Sequence, residues 1–215
     1  MSLSAAVTET TVVERLAALR VLPVATIDDP AHAEALGNAL VAGGLHCVEI
    51  AFRSEAAAGA VRRASRVDGL LVGAGTILSP PQAEAARDAG AAFAVAPGTN
   101  PEVLEACERI GLPFFPGVAT PTEIERARAL GRNTLKVFPA AQLGGPAFLR
   151  AVAATYPDVR FLPTGGIDSE SLGDYLALPS VLAVGGSWLV RPDLLRDGRF
   201  DEVERLAREA VKLAT

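Results

Sequence analysis

The sequence carries twenty lysine and arginine side chains, and only two of them are lysines, Lys136 and Lys212. Lys212 falls in a terminal amphipathic stretch, where a solvated charge is ordinary. Lys136 stands inside Thr-Leu-Lys-Val-Phe-Pro-Ala (134–140), an apolar strand-like run in which a buried charge is costly unless it is paired or used. Strand alternation sends Thr134, Lys136 and Phe138 to one face and Leu135 and Val137 to the other. A lysine can release its proton and attack a ketone to form an imine, which an arginine cannot do. A buried ion pair is the competing reading, and taken alone Lys136 fits both.

In Val-Glu-Ile-Ala-Phe-Arg (48–53), the same alternation puts Glu49, Ala51 and Arg53 on one face, opposite Val48, Ile50 and Phe52. A carboxylate suits proton transfer, and a guanidinium suits bidentate binding of a carboxylate. A structural pair of Glu49 with Arg53 or Lys136 is the alternative. Gly-Ala-Gly-Thr (73–76) and Ala-Pro-Gly-Thr (96–99) end two further runs; their glycines let backbone approach a ligand or simply make turns, with Thr76 and Pro97 beside them. Thr164-Gly165-Gly166-Ile167 and Gly185-Gly186-Ser187 follow the last two runs. Bare N–H groups there, helped by a helix N-terminus, can hold a phosphate dianion.

These groups need a scaffold, and the chain repeats one. Eight Val-, Ile-, Leu- and Phe-rich runs occur at 21–27, 46–52, 70–73, 91–96, 113–118, 134–139, 159–164 and 181–184. The segments between them have helical periodicity, as at 33–42. Ser79-Pro80, Asn100-Pro101 and Thr120-Pro121 each place a capping side chain before a first-turn proline, and Gly90, Gly111 and Gly131 close those helices. Thr11 and Glu14 are spaced as a capping box for an extra N-terminal helix with Val12, Leu16 and Leu19 on one side. A closing helix from about Asp201 carries Val203, Leu206, Ala210 and Leu213. The alternation predicts an α/β fold in one domain spanning 1–215, with a flexible segment at 1–8. A (β/α)8 TIM barrel is favoured over a doubly wound open sheet. Several strands end in polar or glycine-rich groups, and no GxGxxG follows the first strand.

A net charge of −5 without a basic run argues against nucleic acid as a partner. The longest uncharged stretch, 175–190, is broken by Pro179 and the glycines at 185 and 186, which argues against a membrane span. No signal-type N-terminus is recognisable, so a cytoplasmic location is expected. Cys47 and Cys107 read as buried thiols, His32 and His46 lack ligand spacing, and no metal is implied. Trp188 reads as core or interface packing.

Taken together, six motifs in this order resemble the 2-keto-3-deoxy-6-phosphogluconate (KDPG) and 4-hydroxy-2-oxoglutarate (KHG) aldolase family over nearly the whole chain. They are residues 48–55, 72–78, 96–98, 135–140, 163–167 and 185–190. The resemblance implies a class I lyase with a barrel fold, usually a homotrimer, and no metal or organic cofactor. Lys136 would form the imine and Glu49 would transfer the proton. Arg53 would bind the pyruvate carboxylate, Thr76 and Pro97 would line the imine pocket, and Phe138 would pack beside the lysine. Thr164 would contact substrate hydroxyls, while Gly165, Gly166, Gly186 and Ser187 would hold the phosphate. The implied reaction cleaves KDPG to pyruvate and glyceraldehyde 3-phosphate in the Entner-Doudoroff route, with KHG as a second substrate. Ala51-Phe52 departs from the threonine and leucine associated with the family, which bears on the pocket edge. Arg53 fits the gluconate-type enzymes better than the galactonate-type ones. The competing readings are a galactonate-type aldolase, a phosphosugar isomerase or epimerase on the same barrel, and a noncatalytic phosphate-ligand binder.

Overall fold

The structure, a computed structural model, describes residues 8–215. The chain opens with α1 (Glu9–Leu19) and then alternates: β1 (Val21–Ala25), α2 (His32–Ala42), β2 (Cys47–Ala51), α3 (Ala57–Ala64), β3 (Leu71–Gly75), α4 (Pro80–Asp88), β4 (Phe93–Val95) and α5 (Pro101–Arg109). It continues through β5 (Phe114–Phe115), β6 (Gly117–Val118), α6 (Pro121–Ala129), β7 (Thr134–Val137), α7 (Gly145–Thr155) and β8 (Arg160–Pro163). The chain closes with α8 (Leu172–Leu176), β9 (Val184–Gly186), α9 (Pro192–Arg196) and α10 (Phe200–Ala214).

All strand pairs are parallel, in the orders β5-β4-β3-β2-β1-β9 and β6-β7-β8. The two arcs join into one ring. β5 and β6 are halves of a single stave interrupted at Pro116, which has no N–H for a ladder bond but whose carbonyl accepts from the Lys136 N–H at 2.9 Å. On the other side, bridges at Thr164–Gly185 and Phe161–Val181 tie β8 to the β9 stave. The result is the expected (β/α)8 barrel, with eight staves built from nine short strands.

Alternation divides the core in two. Val48, Ile50, Val72, Ala74, Leu135 and Val137 point outward to the helices. Leu22, Cys47, Leu71, Phe93, Phe115 and Leu162 point inward, and Val12 and Leu16 of α1 pack with them. The extra helix is therefore a plug for the barrel's base, held there because its apolar stripe has no other partner.

Several boundaries differ from the sequence expectation. The α1 N-cap is Thr8, whose Oγ1 accepts from the Thr11 N–H at 3.2 Å; Thr11 is the capped residue and not the cap. The expected flexible segment at 1–8 otherwise lies outside the described residues. The last strand begins at Val184, with Val181 making only an isolated bridge. Asn100 and Thr120 cap their helices as expected, Thr120 in a full box with Glu123, but Ser79 makes no side-chain cap bond. On α10 the buried stripe is Val203, Ala207 and Ala210, leaving Leu213 52% exposed because the final turn runs past the barrel.

Candidate active site

β2 and β7 are opposite staves of the ring, so inward side chains from them meet near its axis. Lys136 Nζ lies 2.8 Å from Glu49 Oε1 and 3.1 Å from Oε2, with both side chains buried. The sequence alternatives of a proton-transfer pair and a buried ion pair thus share one geometry, whereas no Glu49–Arg53 ion pair occurs among the described residues. Gly75 makes the arrangement possible: a Cβ there would stand 2.1 Å from Glu49 Oε1. Gly73 similarly leaves room for the Phe93 ring. These two glycines admit side chains into the barrel, and not a ligand as the turn motif suggested.

At the C-terminal mouth is a cavity of about 330 Å³, whose lining includes neither Glu49 nor Lys136. Of the expected binding residues, Arg53, Phe138, Thr164, Gly165, Gly166, Gly186 and Ser187 line it. β2 ends at Ala51, so Arg53 belongs to the following turn and is exposed at the rim. Glu49 and Lys136 lie deeper on the same staves. Thr76 and Pro97 are half-buried at the mouths of β3 and β4 and do not line this cavity. Thr76 instead holds a left-handed backbone at φ 58°, rare for a threonine, just after the glycine that packs on Glu49. Pro97 packs through its carbonyl on Gly117.

The phosphate loops have the backbone their sequence requires. Gly165 and Gly166 adopt φ of 101° and 72°, open to glycine without strain. The N–H groups of Gly166 and Ser187 make no hydrogen bond among the described residues, whereas the Thr164–Gly185 bridge directs the Gly165 N–H toward the Gly185 carbonyl. The expected help from a helix N-terminus is not where the glycines are: α8 begins at Leu172, and α9 begins with Pro192, which reaches the cavity but has no N–H.

Of the lining residues outside the expected set (Val24, Thr26, Ile167, Gly185, Val190 and Pro192), two come from the first stave, Val24 and Thr26. Their signal was the alternation of the first strand, where Leu22 faces in while Ala25 and Ile27 face out. Trp188 is half-buried, packs against the outer core and lies flat on Gly186, as its apolar surroundings suggested.

Both thiols are buried. The Cys47 S–H donates to the Val21 carbonyl at 3.2 Å, and burial pushes its pKa up to about 12 and that of Cys107 to about 11, so neither is a nucleophile. Among the described residues, no helix is long and apolar enough to cross a membrane.

The family model for KDPG and KHG aldolases matches residues 12–206. The chain belongs to the KDPG and KHG aldolase family. It is 44% identical to a 2-dehydro-3-deoxy-phosphogluconate aldolase of Treponema pallidum, covering 94% of this chain and 97% of that one. It is 43% identical to a KHG/KDPG aldolase of Escherichia coli, over 89% of this chain and 91% of the relative. The KDPG aldolase of Legionella pneumophila, solved with pyruvate captured at low pH as a covalent carbinolamine intermediate, superposes with a TM-score of 0.88 at 37% identity. That match covers 92% of this chain and 97% of the other. The chain is accordingly an aldolase, a carbon–carbon lyase, and its barrel holds a lysine and a carboxylate in direct contact.

Proposed function

We propose that this family member is a class I aldolase in which Lys136 forms a Schiff base with KDPG and, as a second substrate, KHG. The observation that carries the reading is the buried Glu49–Lys136 contact, on the two staves that lead to Arg53 and Phe138 of the cavity lining. Glu49 is close enough to take the proton that must leave Nζ before it attacks. The amine adds to the C2 ketone, and Glu49 returns its proton to the carbinolamine hydroxyl, which leaves as water and gives the iminium. Glu49 then accepts the proton of the C4 hydroxyl, the C3–C4 bond breaks, and its electrons pass into the iminium as glyceraldehyde 3-phosphate leaves. The same carboxyl returns the proton to C3 of the enamine, and water releases pyruvate and regenerates Lys136. The covalent pyruvate adduct of the Legionella relative supports this order of events.

In this reading, Arg53 holds the C1 carboxylate as a two-point donor at the rim. The N–H groups of Gly166 and Ser187 hold the phosphate, with Gly165 and Gly186 giving the backbone its close approach. Thr164 faces the hydroxylated carbons, Phe138 covers the lysine, and Thr76 and Pro97 shape the β3–β4 side of the mouth. The family resemblance supports a homotrimer, which sedimentation equilibrium measures directly. The unpaired thiols of Cys47 and Cys107 fit a cytoplasmic location, and the proposed KDPG cleavage supports a role in the Entner-Doudoroff route.

The test is incubation with pyruvate and borohydride, followed by intact mass and peptide mapping. A reduced pyruvate adduct confined to Lys136 is expected. A folded protein that forms no adduct overturns imine chemistry and favours a phosphosugar isomerase with Glu49 as its base. Cleavage rates on KDPG and its galactonate epimer, measured side by side, are expected to favour KDPG.

A further inference from the structure

The cavity has a wall that none of these roles uses. Val24 and Thr26 form it from β1 and the residue following that strand. Strand register sets Val24 beside Glu49 on one side and Pro23 beside Gly186 on the other. The wall therefore lies between the stave bearing Arg53 and the stave bearing Ser187, which the proposed function makes the carboxylate and phosphate ends of the site. The Thr26 hydroxyl has no hydrogen-bond partner among the described residues, although a half-buried threonine commonly satisfies itself locally. The neighbouring side chain on this wall, Val24, offers no polar group.

A KDPG molecule tethered at Arg53 and at the glycine loops must run its middle carbons past this wall. Those carbons carry hydroxyls on the half that becomes glyceraldehyde 3-phosphate. KHG keeps the C4 hydroxyl that cleavage requires, but its C5 is a carboxylate, so it lacks the C5 hydroxyl. We infer that Thr26 hydrogen-bonds the C5 hydroxyl of the aldehyde-derived half and so sets the preference for a phosphorylated hydroxyaldehyde over glyoxylate. The inference rests on the aldolase reading above. A site hydroxyl that pairs with a substrate hydroxyl is left unpaired by a substrate without one, which is how polar contacts discriminate.

The experiment compares the parent, Thr26→Val and Thr26→Ser for KDPG cleavage, KHG cleavage and the pyruvate concentration that half-saturates borohydride trapping. Valine keeps the volume and removes the hydroxyl; serine keeps the hydroxyl. The ratio of kcat/KM on KDPG to that on KHG is expected to fall about 3- to 10-fold in Thr26→Val, as for one neutral hydrogen bond, and to recover in Thr26→Ser. An unchanged ratio overturns the inference. So does a parallel loss on both substrates together with weakened pyruvate trapping, which would place Thr26 at the carboxylate or in the structure. A parent that forms the Lys136 adduct while Thr26→Val leaves the ratio untouched rejects the inference alone. A parent without the adduct rejects the aldolase reading and the inference with it.

Discussion

A lysine and a glutamate that touch in a dry barrel interior are costly to separate, because each leaves the other as an uncompensated buried charge. Glu49→Gln keeps the shape and a hydrogen-bonding group but removes the base. It is expected to lower kcat on KDPG by about 10²- to 10⁴-fold while circular dichroism remains that of a folded barrel. Near-normal turnover would remove Glu49 from the chemistry. Gly75→Ala attacks the same pair by geometry alone, since the new methyl would fall 2.1 Å from Glu49 Oε1 and force the carboxylate aside. A displacement of that kind is expected to cost about 100-fold in single-turnover rate. Equal rates in parent and variant would mean that Glu49 has another productive position.

Among the elements, α1 and α6 show how differently local and tertiary forces act. The α6 start is self-contained: Thr120 Oγ1 accepts from the Glu123 N–H, and the Glu123 carboxylate accepts from the Thr120 N–H at 2.9 Å. Thr120→Ala should therefore cost about 1 kcal/mol in urea unfolding, whatever the rest of the barrel does. The plug helix depends on what lies above it. Leu16 is fully buried against the inner layer, and Leu16→Ala is expected to cost about 2–5 kcal/mol by the same measurement. A cost below 1 kcal/mol would show that α1 merely covers the base and does not pack into it.

Across the whole molecule, the two thiols report on how tightly the barrel excludes water. Their raised pKa values mean that the native protein holds these protons to higher pH than the unfolded chain does. The associated stability is complete below about pH 9 and is lost as pH climbs through 11 to 12. Urea unfolding midpoints are expected to fall more steeply with pH above 9 in the parent than in Cys47→Ala, which lacks the deeper thiol. Indistinguishable slopes would mean that Cys47 ionises in the folded barrel as freely as in the unfolded chain.

The sequence by itself determined the staves, the caps at Asn100 and Thr120, the inward faces of Glu49 and Lys136, and the glycine loops after the last two staves. Each of these rests on a period of two, a period near four, or a φ that only glycine adopts freely, and such rules act over a few residues. The tertiary structure decided which inward residues meet. Glu49 and Lys136 are 87 residues apart and touch only because closure of the ring sets β2 opposite β7. The same closure gave Gly75 its purpose and brought Thr26 onto the cavity wall. Alternation tells which face a side chain takes, whereas the partner across the barrel depends on the pairing of every stave between them, and that register is non-local.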